Sequence, residues 1–197
     1  MSQELTLKVV VVGESGVGKT CVSLRFLTGE FSSQTTPTIA AGFCNAKVKV
    51  GKTNINLLIW DTAGQEAYRS LTSQYYRETK IALIMFDLSA PQTMDTVRVW
   101  HEKICEVNDG KVVTVLVGNK SDLEGSRKIT SEQGEKLAES IGALYRETSA
   151  LTGKGVNDVF EDACNEYLQS NPMSSRLKVK KSVDVAKPDA PSGGCNC

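Results

Sequence analysis

The chain has 197 residues, enough for one well-buried core and too few for two comfortable domains. Lys plus Arg number 23 and Asp plus Glu number 23, a net charge of zero that argues against a general nucleic-acid binder, whose affinity rests on cationic charge. No apolar stretch reaches the roughly 18 residues of a membrane-spanning helix, and Met1-Ser2-Gln3-Glu4 lacks the basic start and apolar region of a secretory signal, so a cytosolic chain with free thiols is expected.

The first element is a predicted strand over Leu5–Val12, β-branched and short enough to be buried. It runs into Gly13-Glu14-Ser15-Gly16-Val17-Gly18-Lys19-Thr20, which reads G-x-x-x-x-G-K-T, and then into a predicted helix over Lys19–Leu27. A glycine-rich turn between strand and helix lets backbone N–H groups wrap inward and, with the helix N-terminus, hold phosphate oxygens. Lys19 supplies a point charge at the outer phosphates, and the Thr20 hydroxyl suits Mg²⁺. Phe31 to Phe43 has little periodicity and reads as an exposed loop. Within it Thr38 is placed to join Mg²⁺ when a terminal phosphate is present, which would order the loop in one nucleotide state only. Phe31 fits either core packing or an edge-on contact with a purine; the residues alone favour the core.

Strands are predicted over Cys44–Val50 and Ile55–Trp60, joined through Gly51-Lys52 as an antiparallel hairpin. The second ends at Asp61-Thr62-Ala63-Gly64-Gln65. A carboxylate at a strand end can hold Mg²⁺ through water, Gly64 can bring its N–H to a terminal phosphate, and Gln65 can orient an attacking water. A strand over Ile81–Asp87, a helix over Thr93–Val107 and a strand over Val112–Gly118 follow, leading into Gly118-Asn119-Lys120-Ser121-Asp122. The Asp122 carboxylate accepts only, so it suits the N1–H and exocyclic amine of guanine. Adenine would leave it unpaired at a cost on the order of several kcal/mol. Lys120 can lay its stem along the purine face, and Asn119 can tie neighbouring loops together. A helix over Ser131–Ile141 and a short strand at Leu144–Arg146 precede Glu147-Thr148-Ser149-Ala150-Leu151, where the small Ala150 can bring its N–H to guanine O6. Ser and Thr after a strand also serve commonly as helix caps. A last helix is predicted over Val156–Leu168. Alternating strand and helix implies a mainly parallel sheet with helices on both faces, and every motif lies just after a strand, where such folds bind ligands.

Composition shifts after Ser170. Residues 171–197 carry Pro172, Pro188, Pro191, Gly193 and Gly194, few large apolar side chains and no periodicity, and read as a disordered tail. Cys21, Cys44, Cys105 and Cys164 stand among apolar neighbours and read as small core residues, with no zinc-like spacing. His101 is the only histidine and reads as a helix-surface residue around which no Ser-His-Asp or Cys-His arrangement can be built.

Taken together these motifs resemble the Ras superfamily of small GTPases, and within it the Rab family, over roughly residues 5 to 170. Trp60 before Asp61, Tyr75-Tyr76-Arg77 and the Cys195-Asn196-Cys197 ending look like a Rab. Ile39 to Phe43 and Ser70-Leu71 are similar to Rabs of early endosomes. The resemblance implies a P-loop NTPase small G domain over 1–170: a six-stranded, mostly parallel sheet with one antiparallel edge strand and helices on both faces. It implies binding of GTP and GDP with Mg²⁺, slow hydrolysis of GTP, and a two-state switch in vesicle trafficking. Ser15, Gly16, Val17, Gly18, Lys19, Thr20, Cys21, Phe31, Thr38, Gly64, Asn119, Lys120, Asp122, Ser149 and Ala150 would bind the nucleotide. Lys19 and Gln65 would be catalytic, and Thr20, Thr38 and, through water, Asp61 would hold the metal.

Neither Arg69 nor Arg77 reads as an internal arginine finger, so a partner is expected to supply that group. The implied partners are an exchange factor, a GTPase-activating protein, effectors, a Rab escort protein and a GDP-dissociation inhibitor, acting on a monomeric G domain. Cys195 and Cys197 would each carry a geranylgeranyl group, two chains being what stable anchoring takes. Arg176, Lys178, Lys180 and Lys181 would either add attraction to anionic lipid or simply solvate the tail. The implied location is the cytoplasmic face of an endomembrane, with a cytosolic pool. Ala40 and Ala67 depart from the Rab pattern of Gly and a basic residue, which leaves the nucleotide chemistry intact and puts regulators carried over from relatives in doubt. Two other readings stay open on the sequence: a GTP-binding scaffold that scarcely hydrolyses, and an ATP-driven enzyme in which Asp122 is irrelevant.

Overall fold

The run Val9 to Val12 has no polar gap, so a strand there must be covered on both faces. In the computed structural model, which describes residues 4–32, 42–62 and 75–172, β1 (Glu4–Gly13) lies inside a six-stranded sheet. The other strands are β2 (Gly42–Val50), β3 (Thr53–Asp61), β4 (Ile81–Asp87), β5 (Val113–Asn119) and β6 (Leu144–Glu147), in the order β2-β3-β1-β4-β5-β6. Five strands are parallel; β2 alone is antiparallel, at one edge, paired with β3 from Gly42–Asp61 to Val50–Thr53. The two-residue connection Gly51-Lys52 is the hairpin that the sequence predicts.

The pleat sorts β1 between two cores. Leu7, Val9 and Val11 pack with Val22 of α1 (Lys19–Thr28) and with Phe160, Ala163 and Cys164 of α5 (Val156–Ser170). Phe26 and Phe160 stack there with ring centroids 3.8 Å apart. Val10 and Val12 face the other layer, with Trp100 and Ile104 of α3 (Val97–Val107) and Ala138 of α4 (Ser131–Ser140). Helix α4 starts at a reciprocal cap: Gln133 N–H donates to Thr130 Oγ1 and Thr130 N–H to Gln133 Oε1. The helix predicted over Thr93–Val107 divides into a single turn, α2 (Gln92–Asp95), and α3. Side-chain competition marks the division, since the Thr96 hydroxyl donates to the Thr93 carbonyl at 3.3 Å.

Of the four upstream cysteines only Cys164 is buried; Cys21, Cys44 and Cys105 are half-buried. Cys21 and Cys44, the latter on the edge strand β2, pack against the first core from its margin, so of the four only Cys164 is a fully buried core residue. No helix among the described residues is long and apolar enough to cross a membrane. The tail from residue 173 onward lies outside the described residues.

Candidate functional site

The C-terminal ends of β1, β3, β4, β5 and β6 bring the sequence motifs to one edge of the sheet. Gly13 leaves β1 with φ 138°, and a Cβ there would lie 2.2 Å from the Met85 carbonyl oxygen of the neighbouring strand. Gly18, at φ 95°, would put a Cβ 2.3 Å from Asn119 Nδ2. Backbone and a buried amide leave no slack, so both positions demand glycine. Val17 is fully buried and pins the loop, while Ser15 and Gly16 face solvent.

Lys19 opens α1 with its side chain turned back across the loop, only 6 % exposed. Its Nζ donates to the Gly13 and Glu14 carbonyls at 2.9 and 2.8 Å. Burial pushes its pKa down to about 8, against the opposing pull of Asp61 and Glu14. The Thr20 hydroxyl donates to Asp61 Oδ2 at 2.5 Å, and Asp61 Oδ1 is buried with no hydrogen-bond partner among the described residues. Burial raises the Asp61 pKa while the Thr20 bond and Lys19 lower it, with a net rise. A hydroxyl and an orphaned carboxylate oxygen form the hard-oxygen donor set that a hydrated Mg²⁺ takes, so these residues fit that ion. Cys21 follows in the first turn of α1, half-buried.

Asn119 joins the loops. It is 1 % exposed; its Nδ2 donates to the Val17 carbonyl at 2.8 Å, and its Oδ1 accepts from Thr148 Oγ1 at 3.0 Å. Thr148 N–H donates to the Gly118 carbonyl, and Ser121 N–H returns to the Thr148 carbonyl. Asp122 Oδ1 accepts from Ser149 Oγ at 2.6 Å, and Ser149 Oγ accepts from Thr152 N–H. Ala150 is buried beside them. Lys120 stands at φ 65° with Nζ 2.6 Å from Asp87 Oδ2.

Three supporting groups escape sequence reasoning. Asp87, at the end of β4, holds Lys120 and takes two bonds from Ser89 at Oδ1. Burial raises its pKa, but the Lys120 and Ser89 contacts more than offset that and leave it below the usual carboxylate value. The available signal was the one read at Asp61, a carboxylate closing an apolar strand. Glu147 is the second. It accepts from both terminal nitrogens of Arg127, from Ser131 Oγ at 2.9 Å and from Tyr145 Oη at 2.8 Å. Burial again raises its pKa, and those four bonds reverse the shift to a net lowering. A carboxyl held low stabilises the fold above its ordinary pKa of 4.5 and loses that contribution as pH falls through its folded value. Glu147→Gln is therefore expected to flatten the acid side of the melting-temperature profile below about pH 4.5, measured against the parent by calorimetry.

The third is a surface. Phe43, 53 % exposed, meets the Trp60 ring edge-on at 5.1 Å, and Trp60 lies 5.8 Å from Tyr75. Lys8 Nζ stands 5.0 Å over the Trp60 ring. Phe43 alone of the three is exposed; Trp60 and Tyr75 are half-buried against the second core. Phe31 is 37 % exposed, so the preference for the core is corrected. Arg77 is exposed and its carbonyl takes the Lys8 ammonium. His101 has a neighbour after all: Cys105 Sγ lies 3.3 Å from its Nε2. Thr38, Gly64, Gln65, Ala40, Ala67, Arg69, Cys195 and Cys197 lie outside the described residues, as do Arg176, Lys178, Lys180 and Lys181.

The family model for the Ras family matches residues 8–169. Ras-related protein Rab-25 of Bos taurus is 44% identical over 159 residues, covering 81% of this chain and 75% of the relative. Ras-related protein Rab-37 of Homo sapiens is 42% identical over 160 residues, 81% and 72% of the two chains. Ras-related protein Rab-21 of Canis lupus familiaris is 32% identical over 203 residues, 98% and 91%. The chain therefore belongs to the Ras family and, within it, to the Rab proteins: it is a small GTPase, of the class that hydrolyses GTP to GDP.

Proposed function

We propose that this Rab protein is a membrane-anchored switch of vesicle traffic that binds GTP and GDP through the loops joined at Asn119. The observation that carries the reading is that junction. One buried amide fixes the phosphate loop, the Asn119–Asp122 loop and the Thr148–Ala150 loop relative to one another. In this reading 1–170 is the catalytic domain and 171–197 the tail that ends in the prenylation motif.

The base rests on Asn119, Lys120 and Asp122, with Ser149 holding the Asp122 carboxylate and Ala150 offering its N–H. The loop from Ser15 to Cys21 wraps the phosphates, and Phe31 flanks the nucleotide. Lys19 is already buried against loop carbonyls, so an incoming phosphate oxygen meets a positioned, desolvated cation. Thr20, Thr38 and, through water, Asp61 would hold Mg²⁺, which when bound would neutralise charge on the phosphates. Gln65 would orient the attacking water, and Gly64 would offer its N–H to the terminal phosphate. Unassisted turnover is slow, and an activating protein supplies the missing cation in trans, worth on the order of 10³–10⁵ in rate. An exchange factor, effectors, a Rab escort protein and a GDP-dissociation inhibitor complete the cycle. Phe43, exposed and backed by the half-buried Trp60 and Tyr75, suits effector docking.

Geranylgeranyl groups on Cys195 and Cys197 hold the protein on the cytoplasmic face of an endomembrane, endosomal by resemblance, with a cytosolic pool. An N-terminally fluorescent fusion imaged in cells of the source organism tests the anchoring. The intact protein is expected to mark a discrete endomembrane compartment, and a Cys195→Ser, Cys197→Ser variant to be diffuse. Equal distribution of the two would overturn the anchoring.

A further inference from the structure

One pair of functional side chains lies apart from the nucleotide motifs. His101 and Cys105 are one turn apart on α3, both half-buried, with Nε2 and Sγ 3.3 Å from each other. Residues four apart stack on one face of a helix, the spacing by which helices chelate metals. Beyond them the Cys105 carbonyl accepts from Gly110 N–H, in the turn that leads to the start of β5. That end of the sheet is opposite the phosphate loop, which leaves β1 at its C-terminal end.

We propose that His101 and Cys105 form an open, two-ligand site for a borderline-soft divalent cation, of which Zn²⁺ is the best match.

Ligand chemistry supports this, since thiolate and imidazole are the donors zinc prefers, whereas Mg²⁺ takes oxygen. The spacing fits as well. Tetrahedral zinc with ordinary Zn–S and Zn–N bonds places sulfur and nitrogen about 3.5 Å apart. The pair therefore needs only a small opening to admit the ion.

Protonation is also compatible. Burial, aided by Arg98 and opposed by Glu102, holds the His101 pKa below its ordinary value, which keeps the imidazole neutral with a lone pair to give. The Arg98 guanidinium is itself engaged with Ser140 Oγ at 2.8 Å. Burial raises the Cys105 thiol, so it is no standing thiolate nucleophile, and the ion must displace its proton. The balanced step is thiol plus neutral imidazole plus M²⁺ giving a thiolate–M–imidazole bridge and one H⁺ released to buffer. The S–H bond breaks, the M–S and M–N bonds form, and no electron is transferred.

Among the described residues no group of three or more His, Cys, Asp or Glu gathers around an ion site. Two coordination positions therefore remain for water or for a donor brought by another protein, as in sites that keep an open position.

The test uses the full chain carrying Cys195→Ser and Cys197→Ser, so that the terminal thiols do not contribute, in excess Mg²⁺ and guanine nucleotide. Co²⁺ is titrated while thiolate-to-metal charge-transfer absorption and proton release are followed, and Zn²⁺ is then added. The expected result is one Co²⁺ bound with one proton released, bleaching by Zn²⁺, and binding at least about tenfold weaker in both His101→Ala and Cys105→Ser. Because His101 is the only histidine of the chain, its imidazole proton resonances read the site without any substitution there. Zn²⁺ should move them while Mg²⁺ does not. A charge-transfer signal that titrates in either variant at the same Co²⁺ concentration as in the parent, or histidine resonances that Zn²⁺ leaves in place, overturns the proposal.

Discussion

Asn119→Ala is expected to weaken both GTP and GDP binding by roughly two to three powers of ten, through faster release. The mutation removes no group that the ligand needs for its charge. It deletes the bonds to the Val17 carbonyl and from the Thr148 hydroxyl, leaving two buried polar groups without partners. Each such orphan costs about 1–3 kcal/mol, and about 1.4 kcal/mol is a tenfold change in an equilibrium constant. Part of the loss should appear as a lower melting temperature, because the amide also holds the nucleotide-free loops together. Dissociation of a fluorescent GDP analogue reads the binding part and calorimetry the folding part. A release rate within threefold of the parent would mean that the loops hold their geometry without Asn119.

Asp122→Asn separates recognition from folding. Its oxygen Oδ1 accepts from Ser149 Oγ, and an amide oxygen can accept that bond equally well, so the fold should be nearly unchanged. The replacement puts an N–H₂ donor where a carboxylate would face two guanine donors. Losing a charge-assisted pair and gaining a donor–donor clash costs on the order of 3–4 kcal/mol, a fall of a few hundredfold in GTP affinity. Weak ATP binding should scarcely move, so the GTP-to-ATP preference collapses. Competition binding with the two nucleotides measures this ratio. An unchanged ratio would remove Asp122 from base selection.

The sheet was legible because its strands are apolar runs that end at punctuated polar motifs. Val9 to Val12 and Ile81 to Phe86 have no reading except a strand buried on both sides, and the hairpin at Gly51-Lys52 sets the one antiparallel pairing. What stayed hidden depends on contacts between distant segments. Nothing local says that Gly13 must clear the Met85 carbonyl, or that Lys120 reaches back to Asp87. Nor does it say that Arg127 clasps Glu147 across the α4 entrance. The same limit applies to the aromatic group, since Phe43, Trp60 and Tyr75 come from two strands and from the segment at Tyr75-Tyr76. His101 and Cys105 are the opposite case. Their four-residue spacing is visible in the sequence, but it matches neither a hydrolytic triad nor the paired-cysteine spacings of zinc sites, so the residues alone read as a surface histidine and a core thiol; the 3.3 Å approach is visible only in the structure. For Phe31 hydrophobicity alone favours the core while the resemblance puts it at the nucleotide, and its exposure reflects its place after the end of α1, clear of both packed faces.

The central claim is a guanine-specific switch site built on Lys19, Asn119 and Asp122. Its most direct test is displacement of a fluorescent GDP analogue from the purified chain in Mg²⁺ by GTP and by ATP. GTP and unlabelled GDP should displace it at comparable concentrations, while ATP fails at on the order of a 10³-fold excess. Displacement by ATP at the concentrations that suffice for GTP would contradict the account.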